Sequence, residues 1–230
     1  MGNILVIAPH PDDDTIGCGG SIVKHVKNGH EVTVVYMTSG DAGSATTPKR
    51  ELAQIREKEA IAAATSLGVK PENLIFLRNP DGYLECNQKN LVELIELIRS
   101  RMPDLIYTPH AEDGHKDHRV SHELTVEAVG RAAGPWFQEA KGKPWSTNTV
   151  LGYEVWTPMK SPQYVEDISV EIGEKVKAIL LHGSQVAGIK YDEATEALNR
   201  YRGATTGKGK HCECFQVVKT NLIPCQSPTS

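Results

Sequence analysis

Two short segments of this 230-residue chain gather the residue types that bind metals and move protons. The first is Pro9-His10-Pro11-Asp12-Asp13-Asp14, between an apolar run and a glycine-rich stretch. Its three adjacent carboxylates raise one another's cost of ionisation, and a divalent cation beside the imidazole would relieve it. The plainer reading of the aspartates is an acidic helix start that caps free N–H groups. The second segment is His110-Ala111-Glu112-Asp113-Gly114-His115-Lys116-Asp117-His118. Its His115-x-x-His118 spacing puts two imidazoles near one helical face. Four of the nine histidines fall in these two segments. If the segments converge, three neutral or anionic ligands plus an open position make a catalytic zinc site.

Elements that could bring them together are legible. Asn3–Ala8, Glu31–Thr38, Asn73–Leu77 and Asp104–Thr108 are short apolar or β-branched runs, as in strands buried on both faces. Between and after them, 17–27, 47–67, 90–101 and 118–133 carry helical spacing or helix-forming composition. Alternating strands and helices imply βαβ units with right-handed crossovers, hence an α/β, Rossmann-like three-layer sandwich with a mostly parallel sheet. Both candidate segments then follow the carboxyl end of a strand, where ligands sit in such sheets. The last third is less regular. Strands are expected at 149–156, 164–170 and 211–219, helices at 171–181 and 191–201, and a loose tail at 221–230. No linker divides the chain, so one domain over 1–220 is expected.

Composition narrows the classes. Hydrophobic residues are 39% and charged residues 23%, ordinary values for a globular chain. A net charge of −4 disfavours nucleic-acid and membrane-surface partners, which want a basic face. No run reaches the roughly 18 apolar residues of a membrane helix. The N-terminal apolar run lacks a basic flank, so a cytoplasmic location is expected. Cys18, Cys86, Cys212, Cys214 and Cys225 have no framework spacing and read as free thiols. Gly17-x-Gly19-Gly20 hints at a phosphate loop but lacks the third spaced glycine of a dinucleotide site. Asp12 to Asp14 would also repel phosphate there.

Pro9-His10-Pro11-Asp12-Asp13 paired with His115-Lys116-Asp117-His118 resembles the LmbE and PIG-L family of zinc-dependent de-N-acetylases. That family includes mycothiol- and bacillithiol-pathway deacetylases that act on N-acetylglucosaminyl conjugates. Arg56-Glu57-Lys58-Glu59-Ala60, Pro80-Asp81-Gly82, His182-Gly183-Ser184-Gln185, Arg202-Gly203 and Glu213-x-Phe215 also fit, so the likeness runs from Asn3 to about Lys219.

The resemblance implies roles. His10, Asp13 and His118 would hold Zn2+, although His₂Asp also suits another divalent metal. Asp12 would be the general base for the attacking water. His115 would stabilise the oxyanion or protonate the leaving amine, and Asp117 would orient His115. Arg56, Asp41 and Asp81 would bind substrate, although Arg56 and Glu59, one turn apart, could also form a plain ion pair. Asp14 stands where the family often has Glu. The implied reaction removes acetyl from an N-acetylglucosaminyl-type amino sugar, a small-molecule partner, with a homo-oligomer possible. Cleavage of another acyl group or a thiol conjugate is the first alternative, and a metal-binding protein without catalysis the second.

Overall fold

The computed structural model describes residues 2–221. Its strands are β1 (Asn3–Ala8), β2 (Glu31–Thr38), β3 (Leu74–Asn79), β4 (Leu105–Pro109), β5 (Thr149–Tyr153), β6 (Tyr164–Asp167) and β7 (Cys212–Thr220). Its helices are α1 (Asp13–Lys27), α2 (Lys49–Ser66), α3 (Gln88–Arg101), α4 (Lys116–Ala132), α5 (Ile172–Leu180), α6 (Gly183–Val186) and α7 (Tyr191–Thr206). The sheet order is β3-β2-β1-β4-β5-β7-β6. The first five strands in that order pair parallel, and β7 pairs antiparallel with both β5 and β6.

The continuous apolar runs arise because both faces of the sheet are covered. Ile4, Val6 and Ala8 of β1 pack with Val32, Val34 and Tyr36 of β2 under α1, α2 and α5. Leu5 and Ile7 pack with Val35 and Met37 under α3 and α4. This is the expected three-layer, mostly parallel α/β fold. The expected β5 stops at Tyr153, β6 stops at Asp167 and α7 runs on to Thr206. The tail at 222–230, with Cys225, lies outside the described residues; the other four cysteines are free thiols. Among the described residues no helix is long and apolar enough to cross a membrane.

Strand order reverses at β1. Its crossover leads through α1 to β2 on one side, whereas β4 lies on the other side and leads through α4 to β5. The two connections diverge and leave a crevice at the carboxyl ends of β1 and β4. Both candidate segments open into it.

α1 starts at Asp13 rather than at Gly17, so the aspartates form its first turn. It kinks at Cys18, whose φ of −142° and ψ of 24° are not helical. The kink frees amides that a regular helix would satisfy internally. Glu213 of β7 takes them. Its carboxylate accepts from Gly20 N–H at 2.9 Å, Ser21 N–H at 2.8 Å and the Ser21 hydroxyl at 2.6 Å. Lys175 Nζ of α5 completes the set at 2.6 Å, and both charges are fully buried. The glycines of this stretch admit neighbours rather than phosphate. A Cβ on Gly17 would overlap the Tyr153 ring, and one on Gly20 would come within 2.7 Å of Ile168.

Removing one partner of a buried pair leaves an uncompensated charge. Lys175→Met is therefore expected to destabilise the fold by about 3–5 kcal/mol. Urea unfolding checks this; a loss below about 1 kcal/mol, the scale of an exposed pair, would show that Glu213 does not need its lysine.

Candidate active site

His10 follows β1, Asp13 opens α1, and His118 lies in the first turn of α4. They come together closely. His10 Nδ1 lies 3.1 Å from Asp13 Oδ2 and 3.2 Å from His118 Nε2, and the last two are 3.2 Å apart. Bonds of about 2.0 Å at a tetrahedral angle put ligand atoms about 3.3 Å apart, so this triangle is sized for a small divalent cation. All three side chains are buried. Wider groupings, His10–His115–His118 and His10–Asp81–Asp117, also keep ligand atoms within 4.8 Å. The first triangle is the tighter one.

The outer ring nitrogens face carboxylates. His10 Nε2 lies 3.1 Å from Asp81 Oδ1 and 3.4 Å from Asp117 Oδ2. His118 Nδ1 lies 3.3 Å from Asp113 Oδ1. A carboxylate on the outer nitrogen turns the inner lone pair toward a metal and raises its basicity. Two imidazole lone pairs and a carboxylate oxygen in mutual contact repel one another unless a cation or protons lie between them. The residues present therefore fit a divalent metal. Without one, the cluster holds protons. Burial pulls the His10 imidazole down, but bonds to Asp117, Asp13 and Asp81 leave it well above its usual value. His118 is likewise opposed by burial yet held up to about 9 by the Asp13 charge and by Asp113. Asp13, despite burial, is held far below the ordinary range by the two histidines.

Asp12 precedes α1, and its Oδ2 is ion-paired with Arg56 Nη2 at 2.9 Å. Arg56 is itself buried and donates through Nη1 to the Gly40 carbonyl at 3.0 Å. Gly40 has φ of +62° and leaves no room for a Cβ against that guanidinium. The pairing of Arg56 with Glu59 considered from sequence does not form. Glu59 instead accepts from the amide and hydroxyl of Ser184 in α6, at 2.7 and 2.6 Å.

His115 caps α4 and is half-buried, its ring edge-on to His10 with centroids 4.7 Å apart. Its Nδ1 accepts from the Asp117 backbone N–H at 3.2 Å, which assigns the proton of the neutral ring to Nε2. Burial, then the His10 and His118 charges, lower its pKa. The Asp117 carboxylate does not hold the His115 ring, as the family pattern implied. It accepts from Gly82 N–H at 2.7 Å and Leu84 N–H at 3.3 Å and faces His10. The geometry leaves the backbone N–H as its hydrogen bond to His115.

Asp81 accepts from Ala42 N–H at 3.1 Å, and Asp41 accepts from Asp81 N–H at 3.0 Å. The two aspartates thus lock the loops after β2 and β3 together, with Asp81 turned to His10. Asp14 lies beneath the site, bonded to the Tyr36 hydroxyl at 3.2 Å, and burial pushes its carboxyl up to about 7. His110 stands apart, its Nε2 bonded to Thr157 O at 2.7 Å.

Asp113 was not singled out from the sequence. Besides His118, it accepts from the backbone N–H groups of His115 at 2.9 Å and Trp156 at 3.0 Å. Its place inside the His110–His118 segment was the available signal, since a ligating histidine needs an acceptor for its second nitrogen. The cleft above the triangle encloses about 600 Å³ and is lined by Asp12, Arg56, Asp81, His115, Trp156 and Gln185 among others. A second cavity of about 660 Å³ opens between α1 and β6, away from this crevice.

Residues 5–129, more than half of the chain, match the family described as PIG-L, GlcNAc-PI de-N-acetylase. The diacetylchitobiose deacetylase of Thermococcus kodakarensis is 33% identical over 79% of this chain and 69% of its own length. A 1D-myo-inositol 2-acetamido-2-deoxy-alpha-D-glucopyranoside deacetylase of Rhodococcus erythropolis is 29% identical over 63% of this chain and 58% of its own. The chain thus spans about two thirds of the first relative and less of the second. Among solved structures, the N,N'-diacetylchitobiose deacetylase of Pyrococcus horikoshii, complexed with its inhibitor MPG, superposes with a TM-score of 0.85 at 30% identity. That superposition covers 94% of this chain and 84% of the other. The matching family and these similar proteins are N-deacetylases. The chain belongs to the PIG-L family of GlcNAc-PI de-N-acetylases.

Two outcomes follow from this geometry. Metal binding must expel the proton that His118 keeps up to about pH 9. Apparent affinity is then expected to rise about tenfold per pH unit per proton displaced as pH increases from 7 toward 9. Calorimetry in buffers of different ionisation enthalpy reads the proton count, and pH-independent affinity would contradict it. Asp113→Asn is expected to weaken metal binding by about 10–100-fold, measured by chelator competition.

Proposed function

We propose that the chain hydrolyses the N-acetyl group of an N-acetylglucosaminyl-type amino sugar, with His10, Asp13 and His118 holding a zinc ion. The observation that carries this reading is the His10–Asp13–His118 triangle flanked by a carboxylate outside it, Asp12, held by Arg56, and one imidazole, His115. A purely structural metal site needs neither. A divalent cation in that triangle supplies Lewis acidity that lowers the pKa of water and polarises an acyl oxygen.

The chain's own groups supply the rest. Asp12, oriented by Arg56, takes a proton from the attacking water. His115 Nε2–H donates to the acyl oxygen as charge develops on it. As the C–N bond breaks, the proton collected by Asp12 passes to the amine, and acetate and a free amino sugar leave. Asp117 positions both His10, through its carboxylate, and His115, through its backbone. Arg56 and Asp81 form the polar cleft wall that meets the sugar, and Asp41 acts through Asp81.

The test is acetate release from N-acetylglucosaminyl conjugates by the purified protein, with chelation and zinc restoration. Activity lost on chelation and regained with zinc is expected, and Asp12→Asn should lower kcat by about 10²–10⁴-fold. Unchanged turnover in Asp12→Asn would remove Asp12 from the mechanism.

A further inference from the structure

The two sides of the cleft differ in chemistry. Ala42, Gly43, Asp81 and Gly82, from the loops after β2 and β3, line one side with Arg56. Trp156, which follows β5, lines the other with Ile189 and Tyr191 at the start of α7. In the sheet, β1 and β4 lie between β2 and β5. The His10–Asp13–His118 triangle at their carboxyl ends therefore faces a polar wall on the β2 side and an apolar, aromatic wall on the β5 side.

Behind the second wall lies a smaller chamber of about 210 Å³. Ile16, Trp156, Ile189 and Tyr191 line both spaces and form the lip between them. That lip is tied to the site. Ile16 N–H donates to the Asp12 carbonyl at 2.9 Å, so the isoleucine stands one helical turn, about 5.4 Å, past Asp12. Trp156 N–H donates to Asp113 Oδ2 at 3.0 Å, and the other oxygen of that carboxylate faces His118.

The chamber offers little to a hydroxyl group. Ile16, Val155, Ile189, Ala194 and Leu198 supply apolar wall. Its two carboxylates are engaged elsewhere. Glu154 pairs with Arg202 and accepts from the Met159 amide, and Glu213 holds the Gly20 and Ser21 amides and Lys175. Asn199 Nδ2 is bonded to the Cys212 carbonyl, and its Oδ1 is sealed beneath the wall. A hydroxyl entering here would give up water without a replacement partner, whereas an alkyl chain gains by leaving water.

A secondary amide is planar and trans, so its two substituents point away from each other. With the sugar against the Arg56–Asp81 wall, the acyl substituent points at the lip. An acetyl group ends one carbon past the carbonyl and leaves the chamber unfilled. At roughly 30 Å³ for a water-sized group, the space has room for about seven, ample for the carbons that separate acetyl from hexanoyl.

We propose that this chamber is an acyl pocket, and that the group hydrolysed from the amino-sugar nitrogen extends from acetyl to linear chains of about four to six carbons. Water adds across the amide, and the alkanoate and the free amine leave. This rests on the deacetylase reading above.

The experiment measures kcat/KM of the zinc-loaded protein on N-acetyl-, N-butanoyl-, N-hexanoyl- and N-dodecanoylglucosamine. It is expected to rise about three- to fourfold per added methylene from acetyl to hexanoyl, mainly through KM, and to fall at dodecanoyl. Ala194 is exposed on α7, so Ala194→Trp can fill the chamber without displacing the core. It should cancel the rise with chain length. Leu198→Ala enlarges the chamber and should move the preferred length up by about two carbons. Calorimetry supplies a readout apart from turnover: hexanoate should bind at least about tenfold more tightly than acetate, and Ala194→Trp should remove the difference. Acetate release with slower cleavage of the butanoyl and hexanoyl amides would overturn the acyl pocket and leave the deacetylase reading standing. A length preference that neither variant shifts would overturn it too. No carboxylate from any of the four would defeat the deacetylase reading, and the pocket with it.

Discussion

His10 Nδ1, Asp13 Oδ2 and His118 Nε2 sit within 3.2 Å of one another and out of water. In this arrangement three lone pairs must share either protons or a cation. Holding them there opposes both electrostatic repulsion and desolvation. Much of the surrounding structure supplies the opposing force. Asp81, Asp117 and Asp113 turn the rings from behind, and backbone amides from three separate loops hold those carboxylates in turn. The shell has little slack, because most of its groups serve two neighbours at once.

The sheet supplies the coarse position and the helix starts supply the fine one. Reversal of strand order at β1 opens the crevice; the first turns of α1 and α4 then deliver Asp13 and His118 from opposite walls. Asp13 is at the start of α1 and His118 is two residues into α4, so neither depends on a long loop for its placement. Asp12 lies just outside α1, and this one-residue offset separates two adjacent carboxylates. Asp13 enters the triangle and Asp12 turns to Arg56.

Much of this was legible in the chain. The strands β1 to β4 read clearly because apolar runs covered on both faces leave a strong signal. The convergence of the two histidine-bearing segments followed from their common place after strands. The C-terminal third read less well: β5 and β6 are both shorter than expected, and after β5 the chain at Trp156 leaves the sheet for the cleft. The partners of Asp117 and Arg56 were not readable from spacing. They depend on which backbone amides the loops after β2 and β3 present, and those loops are placed by tertiary contacts. Asp113 was hidden for a similar reason, as one acidic residue in a segment already rich in them.

Among the described residues β7 is the last strand in sequence, yet it lies inside the sheet, between β5 and β6. It also carries Glu213, which accepts the Gly20 and Ser21 amides just past the kink in α1. A nascent chain stopped after α4 would contain every residue of the triangle but neither the acceptor for α1 nor the strand on which β6 docks. Assembly of the centre is thus tied to completion of the fold. The three triangle residues all lie before residue 119, whereas the carboxylate that takes up the kinked helix's free amides comes from a strand far along the chain, so a segment ending at α4 would hold these side chains without the support that sets their geometry.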